Sequence, residues 1–407
     1  MLVPSKPRPR RVGSPRVEKH DSPAVELSVV MPCLNEADTL ATCISKAQAA
    51  FAQCGCVGEI IVADNGSVDG CPEIAEAHGA RVVHVAERGY GSALMAGIAA
   101  ARGRFIIMGD ADDSYDFLAI PKFLSELRAG HDLVQGCRLP AGGGSILPGA
   151  MPPLHRWLGN PLLSALARTM FKIPISDIYC GMRGFTRALY DSLEQRCTGM
   201  EFATEMIIRS SLGGARISQV PITLHPDGRQ SHGPHLRTFR DGWRTLRFFL
   251  LYSPRWLFLL PGLGLLALGA LGYALALPGV HLLGAELGAH TLLVASLALL
   301  MGFQFLLFAV VSKSVAEGIG LLPEDPRMKR FFRVATLERG ILLGGAALVT
   351  GLVLIGAAAA EWQRLDFGHL DYASTLRQVV PGVTLAALGI QTILSSFFVS
   401  MLGMGRR

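Results

Sequence analysis

The sequence contains few charged residues for its length. Only 17% of its 407 residues are Asp, Glu, Lys or Arg, whereas 50% are hydrophobic. This composition argues against a purely soluble protein, and the length allows about two or three domains. The hydrophobic excess lies in the last third of the chain, where four nearly uncharged segments are each about 20 residues long, enough to cross a bilayer. The predicted membrane spans are Trp256–Leu277, Thr291–Val311, Ile341–Ala360 and Val379–Met401.

The sequence also lacks several motifs that would identify a cofactor or a metal cluster. None of its eight cysteines, of which Cys197 is the last, belongs to a Cys-x-x-Cys pair or to a zinc-type spacing. We therefore expect reduced and mostly buried thiols. No Walker-type phosphate loop is present, which argues against a soluble phosphoryl transferase. The glycines on either side of Tyr90 do not form a dinucleotide fingerprint, because the third glycine is missing.

Lys and Arg are unevenly distributed along the chain. Residues 1–20 contain six of them against the single acidic residue Glu18, and we predict a disordered basic tail over residues 1–24. Such a tail could rest on anionic lipid, whereas nothing else in the chain supports a nucleic-acid partner. The connection Ser312–Gly340 is rich in Lys and Arg, and the connection Pro278–His290 has neither. The distribution predicts an inner-membrane protein whose soluble region and both termini face the cytoplasm.

Between Glu26 and Val220, short strand-like runs alternate with helical patterns. This alternation is typical of a mainly parallel sheet with helices on both faces, the α/β class. Ligands of such sheets bind beyond the carboxyl ends of the strands. The predicted strands and the helices between them are, in chain order, Leu27–Met31, Ala37–Ala52, Glu59–Ala63, Asp69–Ala77, Arg81–Val85, Gly91–Ala101, Phe105–Met108, Leu118–Ala129 and Leu133–Gly136.

Two aspartates, Asp110 and Asp112, follow the fourth predicted strand. In an extended chain, residues two apart point to the same side, so both carboxylates would face one site. Mg²⁺ or Mn²⁺ is commonly bound by one or two carboxylates together with substrate phosphates. An acidic loop that merely caps the next helix is the alternative. Polar residues also follow the first, second and fifth strands, and together these strand ends predict one nucleotide or phosphate site.

The motifs at these strand ends resemble a known family. In chain order, the segments that carry the resemblance are Val29–Glu36, Asp64–Gly70, Asp110–Asp112, Gly136–Arg138, Cys180–Arg183 and Val220–Ile222. The first three are similar to the signature series of the inverting GT-A glycosyltransferases of family 2. The others resemble its branch of dolichyl-phosphate mannose synthases and polyprenyl-phosphate glycosyltransferases. The resemblance covers about residues 26–250.

The resemblance implies a nucleotide-sugar donor of the GDP-mannose or UDP-glucose type, a polyprenyl or dolichyl phosphate acceptor, and Mg²⁺ or Mn²⁺ held by Asp110 and Asp112. Asp112 and Arg138 are the implied catalytic residues, and Arg138 and Arg156 would lie near the acceptor phosphate. Arg229, just upstream of a predicted membrane-surface helix, is a further candidate for acceptor binding. The residues that would bind the donor are Pro32, Asn35, Glu36, Asp64, Asn65, Gly66, Asp110, Ala111 and Asp112.

Some positions depart from the patterns of related enzymes. Asn65 stands where the family frequently has a second aspartate, and Ser114 stands where the mannose synthases often have glutamine, so the donor sugar and its base are left open. A processive polysaccharide synthase shares the nucleotide-binding region, although Tyr252 replaces the glutamine of its usual Gln-x-x-Arg-Trp motif. A non-catalytic membrane scaffold or lipid translocator would retain the fold without the chemistry. Both functions remain alternatives.

The segment Leu236–Leu251 combines a basic helical stripe with an apolar one. Its arginines recur at spacings of three and four residues, and its large apolar residues form the second stripe. Because it lies just before the first span, we predict an interfacial helix over residues 236–254, with an ordinary amphipathic surface helix as the alternative. The predicted order is then basic tail, GT-A domain over residues 25–235, interfacial helix, and a four-helix transmembrane domain over residues 255–407. A homo-oligomer is left open.

Overall fold

The computed structural model describes residues 25–229, 238–282 and 285–404. The predicted basic tail over residues 1–24 and the start of the predicted interfacial helix lie outside the described residues. Within the described parts, an α/β region extends to Leu251 and a mostly helical region follows it.

Seven strands form a central sheet, and two shorter strands form a separate parallel pair. The strands are β1 (Leu27–Cys33), β2 (Gly58–Asp64), β3 (Arg81–His84), β4 (Phe105–Met108), β5 (Leu133–Cys137), β6 (Ser145–Ile146), β7 (Arg183–Thr186), β8 (Ile217–Pro221) and β9 (Thr223–Leu224). The order in the central sheet is β3-β2-β1-β4-β7-β5-β8, with β7 antiparallel to β4 and β5. The other pairs of this sheet are parallel, so the predicted mainly parallel α/β sheet is confirmed.

Helices cover both faces of the sheet. They are α1 (Leu40–Cys54), α2 (Cys71–Ala77), α3 (Tyr90–Ala100), α4 (Ile120–Arg128), α5 (Asn160–Phe171), α6 (Arg187–Leu193), α7 (Glu201–Leu212) and α8 (Thr238–Leu251). Val29 and Met31 of β1 belong to the apolar core under α1, α2 and α4, whereas Val30 belongs to the core under α3, α5, α7 and α8. This alternation follows from the two-residue period of a strand, and each such buried side chain contributes about 1.5–3 kcal/mol.

Part of the apolar stripe of α8 packs on the α/β region. Phe249 is fully buried, and its ring lies edge-on to Phe171 of α5 at a centroid distance of 5.7 Å. Trp243, on the same helix, is exposed. The helix predicted before the first span is therefore present, but it divides its apolar residues between the protein core and the surface.

Among the described residues, four helices are long and apolar enough to cross a membrane, in agreement with the four predicted spans. They are α9 with the turn before it (Arg255–Ala276), α10 (Ala289–Gly318), α12 (Leu337–Arg364) and α13 (Tyr372–Met404), and the short helix α11 (Pro326–Val334) lies between α10 and α12. Helices α12 and α13 approach closely at glycines: a Cβ added to Gly351 would lie 2.5 Å from the carbonyl oxygen of Gly382. Small residues at such crossings are typical of helix packing in membranes.

The connection between α10 and α11 is attached to the α/β region. Arg196 Nη2 donates to the carbonyl oxygen of Ile319 at 3.0 Å, and Arg209 Nη2 donates to that of Gly320 at 2.9 Å. Leu321 and Leu322 pack against the core that contains α7 and α8. This connection therefore lies on the same side of the four helices as the α/β region.

Candidate active site

The loop after β4 carries the two aspartates predicted to bind a cation. The chain turns at Ala111 and Asp112 instead of continuing as a strand, so the two-residue strand period used to pair the carboxylates does not apply. Asp110 Oδ1 nevertheless accepts a hydrogen bond from Tyr90 Oη at 3.0 Å, and Asp112 Oδ1 accepts one from Ser114 Oγ at 2.6 Å. Each carboxylate is thus fixed by a neighbouring hydroxyl group.

The two carboxylates interact electrostatically. Burial, followed by the negative charge of Asp112, raises the pKa of Asp110 to about 7 against the opposing effect of the hydrogen bond from Tyr90. Two negative groups held this close favour a cation between them, because a positive charge would lower the cost of ionising both. The donor set therefore fits Mg²⁺ or Mn²⁺, which bind through carboxylate oxygens.

No group of three or more His, Cys, Asp or Glu side chains suited to a metal ion occurs among the described residues. A cation at Asp110 and Asp112 would accordingly take its remaining oxygen ligands from water or from a bound phosphate. That is the usual arrangement for Mg²⁺, which keeps several waters and uses one or two carboxylates together with substrate phosphates.

Helix α1 holds the acidic loop from one side. Thr39 Oγ1 donates to the carbonyl oxygen of Ala111 at 2.7 Å, and Lys46 Nζ lies 2.7 Å from Asp113 Oδ1. Asp113 has a φ of 60°, a left-handed backbone conformation that few non-glycine residues adopt. The ion pair with Lys46 therefore stabilises a turn that the sequence of the loop alone would not favour. Neither Thr39 nor Lys46 was predicted from the sequence.

The residues predicted to bind the nucleotide lie together at the ends of β1 and β2. Asp64 accepts hydrogen bonds from the backbone N–H groups of Gly66 at 3.3 Å and Ser67 at 3.1 Å. The backbone N–H of Asn35 donates to Ser67 Oγ at 3.0 Å, which connects the loop after β1 to the loop after β2. Pro32 forms part of β1 beside this junction and is half-buried. The sequence thus predicted which loops meet.

Asn65 uses its amide to hold the loop after β3. Its Nδ2 donates to the carbonyl oxygens of Val85 at 3.2 Å and Glu87 at 2.8 Å, while its Oδ1 accepts from the N–H of Gly89 at 2.7 Å. An aspartate could not donate to two carbonyl oxygens. This explains why Asn stands where the family frequently has Asp, and it gives Asn65 a structural contact beside its predicted role.

Arg229 lies against the acidic loop. Its Nη2 is 3.0 Å from Asp112 Oδ2 and 2.6 Å from Glu36 Oε1, and its Nε donates to Glu36 Oε2 at 2.9 Å. The backbone around it is tied to the same loop, since Gly228 N–H donates to the carbonyl oxygen of Asp112 at 3.0 Å. Three residues predicted separately are therefore brought together. Nothing in the sequence indicated that Glu36 would contact Arg229.

Arg138 is buried and pairs with Asp177, outside the acidic loop. Its Nε and Nη2 donate to Asp177 at 2.7 Å and 2.9 Å, and its backbone N–H donates to the same carboxylate at 3.0 Å. Arg156 is half-buried, with its guanidinium 5.2 Å from the centre of the Trp157 ring. Arg138 pairs with Asp177, Arg156 lies over the Trp157 ring, and Arg229 pairs with Glu36 and Asp112. The three arginines predicted to bind the acceptor therefore have different partners.

Several known proteins are similar to this chain. Residues 28–193 match the family described as Glycosyl transferase family 2, and residues 310–403 match the Glycosyltransferase family 2 C-terminal transmembrane region. The low-salt glycan biosynthesis hexosyltransferase Agl6 of Haloferax volcanii is 40% identical over 384 residues, which cover 93% of this chain and 90% of that protein. A dolichyl-phosphate hexose transferase of the same organism is 35% identical over 40% of this chain and 68% of its own length.

Among solved structures, glucosyl-3-phosphoglycerate synthase from Mycobacterium tuberculosis, crystallised with Mn²⁺, UDP and glucosyl-3-phosphoglycerate, is 24% identical. The similarity covers 56% of this chain and 78% of that one, with a TM-score of 0.43. Two findings identify the family of this chain. They are the identity to Agl6 over nearly the whole of both chains and the two family matches in the expected order. The chain belongs to glycosyltransferase family 2, with a GT-A-like catalytic domain followed by the membrane region of that family.

Proposed function

We propose that this glycosyltransferase moves a hexose from a nucleotide-sugar of the GDP-mannose or UDP-glucose type to a membrane polyprenyl or dolichyl phosphate. The observation that carries the proposal is the combination, in one chain, of the family 2 site at the strand ends with four helices able to cross a membrane. The names of the two Haloferax relatives, a hexosyltransferase and a dolichyl-phosphate hexose transferase, support the sugar class and the acceptor class.

On the donor side, Asp110 and Asp112 would hold Mg²⁺ or Mn²⁺. The cation, when bound, supplies positive charge to the diphosphate of the donor as it leaves. Asp64 and Asn35 lie at the ends of the neighbouring strands, beyond which the nucleoside of a donor in this fold would lie. Asp64 is already fixed by two backbone N–H groups, so its carboxylate is oriented before a nucleotide arrives.

On the acceptor side, the turn before α5 and α5 itself expose a row of large apolar residues. Leu154, Trp157, Leu158 and Leu162 are all exposed, Trp157 to 72%. Arg156, whose guanidinium is 5.2 Å from the centre of the Trp157 ring, flanks this row. An exposed apolar stripe with a flanking cation suits the boundary between headgroups and acyl chains, where a polyprenyl phosphate presents its charge. This supports a lipid phosphate as the acceptor over a soluble sugar.

The reaction is a single displacement with inversion. An oxygen of the lipid phosphate forms a bond to the anomeric carbon while the bond from that carbon to the nucleoside diphosphate breaks. The attacking phosphate is already ionised at neutral pH, so no side chain has to remove a proton from it. The chain's contribution is to align two anions and to offset their repulsion with positive charge, which positioning and preorganised electrostatics can supply.

The catalytic domain and the connection between α10 and α11 lie on the same side of the four helices. Basic residues flank that connection, with Lys313 in the last turns of α10 and Lys329 and Arg330 in α11, whereas the connection from α9 to α10 has no Lys or Arg. Basic connections face the cytoplasm in most membrane proteins. We therefore assign the transfer reaction to the cytoplasmic face of the inner membrane.

The test is a transfer assay with the purified full chain in lipid nanodiscs. Dolichyl or undecaprenyl phosphate is combined with a panel of UDP- and GDP-hexoses, with Mg²⁺, Mn²⁺ or EDTA, and products are identified by mass spectrometry. We expect one hexose per lipid phosphate with at least one donor, no product with unphosphorylated dolichol, and none from Asp112→Asn. Arg128→Gln, far from the site on an exposed surface, is the matched control. A long polymer would instead favour the processive synthase, and no product with any donor would contradict the proposal.

A further inference from the structure

Arg229 and a divalent cation require the same oxygen atom. The cation site proposed above includes Asp112, whose Oδ2 is 3.0 Å from Arg229 Nη2. The other oxygen, Oδ1, already accepts hydrogen bonds from the N–H and the hydroxyl of Ser114. The carboxylate of Asp112 therefore has one oxygen left to offer, and the guanidinium is bound to it.

Arg229 is held at this position by more than Asp112. Its guanidinium makes three contacts of 2.6–3.0 Å with both oxygens of Glu36, and its Nη1 is 3.5 Å from Asp227. The side chains of Arg229 and Glu36 are only 12% and 7% exposed. Removing the contact with Asp112 would therefore leave the arginine paired, since Glu36 retains it through a bidentate contact that is strong in a buried environment.

We propose that Arg229 is an exchangeable counter-ion of Asp112, which a divalent cation must displace before the donor diphosphate can be bound. The inference rests on the proposed function, because it concerns the same cation site. While Arg229 neutralises the charge of Asp112, binding of a cation alone to Asp112 releases little free energy. A cation that arrives with a nucleoside diphosphate brings additional ligands and also offers the guanidinium a new anion. The site would thus favour the cation–nucleotide complex over the free cation.

The proposal assigns a distinct role to Glu36. In the sequence, Glu36 was predicted to bind the donor, but its carboxylate contacts Arg229 through both oxygens. Glu36 is therefore a positioning residue, which keeps the guanidinium beside the site after Asp112 is released. Arg229, predicted to bind the acceptor phosphate, is here a residue that links cation binding to phosphate binding.

The test measures binding of Mn²⁺ without nucleotide, by electron paramagnetic resonance of the free ion, to the full chain in detergent. In Arg229→Gln the competing charge is absent, and we expect Mn²⁺ to bind between about tenfold and a hundredfold more tightly than to the wild type, the range that one charge-assisted hydrogen bond contributes. Arg229→Lys keeps the charge without the forked geometry and should lie between the two. Arg128→Gln removes an arginine that is paired with a glutamate far from the site and should match the wild type.

A second readout does not depend on measuring free Mn²⁺. Arg229→Gln leaves Glu36 and Asp112 with unbalanced negative charge, so it should unfold at a lower temperature than the wild type in EDTA. Mn²⁺ should then raise the unfolding temperature of Arg229→Gln more than that of the wild type, because a ligand that binds only the folded state stabilises it more when it binds more tightly.

Mn²⁺ binding to Arg229→Gln that is equal to or weaker than binding to the wild type would overturn the inference. The same titrations with UDP or GDP present separate this result from failure of the proposed function. If Arg229→Gln fails to bind free Mn²⁺ more tightly but Mn²⁺ still binds both proteins with the nucleotide, the cation site stands and only the exchange is wrong. If no Mn²⁺ binds to either protein even with nucleotide, the cation role of Asp110 and Asp112 is wrong as well.

Discussion

The ion pair of Arg138 and Asp177 offers a test of how burial changes the contribution of an arginine–carboxylate pair to stability when the geometry of the pair is nearly constant. Asp177 is fully buried and accepts from Arg138 at 2.7 and 2.9 Å. Arg128 contacts Glu26 on the surface with nearly the same geometry, at 2.7 Å for both Nε and Nη2. The matched substitutions are Asp177→Asn and Glu26→Gln, each of which removes one negative charge with little change in size.

We expect the two substitutions to differ several-fold in their effect on the free energy of unfolding. Asp177→Asn leaves a buried guanidinium without a counter-charge, which costs about 3–5 kcal/mol. Glu26→Gln breaks an exposed pair, which is worth at most about 1 kcal/mol. For a domain of this size, about 1 kcal/mol corresponds to about 2–4 °C in the unfolding temperature. Asp177→Asn should therefore lower that temperature by about 6–20 °C, and Glu26→Gln by no more than about 4 °C.

The assay is thermal unfolding of the full chain in one detergent, followed by intrinsic fluorescence, together with the transfer assay at a temperature where both variants are folded. Equal shifts for the two variants would refute the reasoning, because geometry and not burial would then set the energy. A stable Asp177→Asn with a raised KM for lipid phosphate would show that Arg138 acts on the acceptor, as the family resemblance implied. A destabilised variant with an unchanged KM would make Arg138 a structural residue.

Three further predictions follow from other contacts. The pKa of Asp110, about 7, lies above its value in an unfolded chain. The carboxyl proton therefore stabilises the cation-free protein below that pH and must leave when a cation binds. We expect the apparent Mn²⁺ affinity to fall by up to about tenfold per pH unit below 7, and a pH-independent affinity would contradict this. Gly351→Ala places a Cβ 2.5 Å from the backbone of α13 and should lower the unfolding temperature. Gly345→Ala adds a Cβ that meets nothing within 4 Å beyond the adjoining turns of its own helix and should leave that temperature unchanged. Equal shifts for the two variants would contradict this prediction. Asn65→Asp loses the two hydrogen bonds that the Asn65 amide donates to backbone carbonyl oxygens, and it should lower the free energy of unfolding by about 1–3 kcal/mol. Chemical unfolding measures this loss, with Asn65→Ala as the comparison.

The strands that the sequence predicted well are those with continuous apolar runs. Phe105–Met108 was predicted with the same bounds that β4 has, because a fully buried strand has no polar interruption. Strand β7 was missed for the opposite reason. It begins with Arg183, whose side chain is fully buried and donates to the carbonyl oxygens of Cys180 and Ala203. A charged residue followed by glycine does not resemble a buried strand, and its partners are known only once the chain is folded.

The site was predictable to the extent that it lies at strand ends. Asp110, Asp112 and Asp64 follow apolar strands, and the parallel sheet brings such ends to one edge. The partners of the arginines were not predictable. Arg138 and Asp177 are 39 residues apart, and Arg229 and Glu36 are 193 apart, so neither pair leaves a local pattern in the sequence.

The membrane helices are attached to the catalytic domain at two points that are distant in the sequence. One is the chain itself, where Tyr252 Oη donates to the buried Glu205 at 3.0 Å just before the first span. The other is the connection after the second span, which Arg209 holds through Gly320. A single linker would let the domain rotate relative to the bilayer, whereas two attachments fix its orientation. The hydroxyl of Tyr252 thus has a structural contact at the position where processive synthases usually have glutamine.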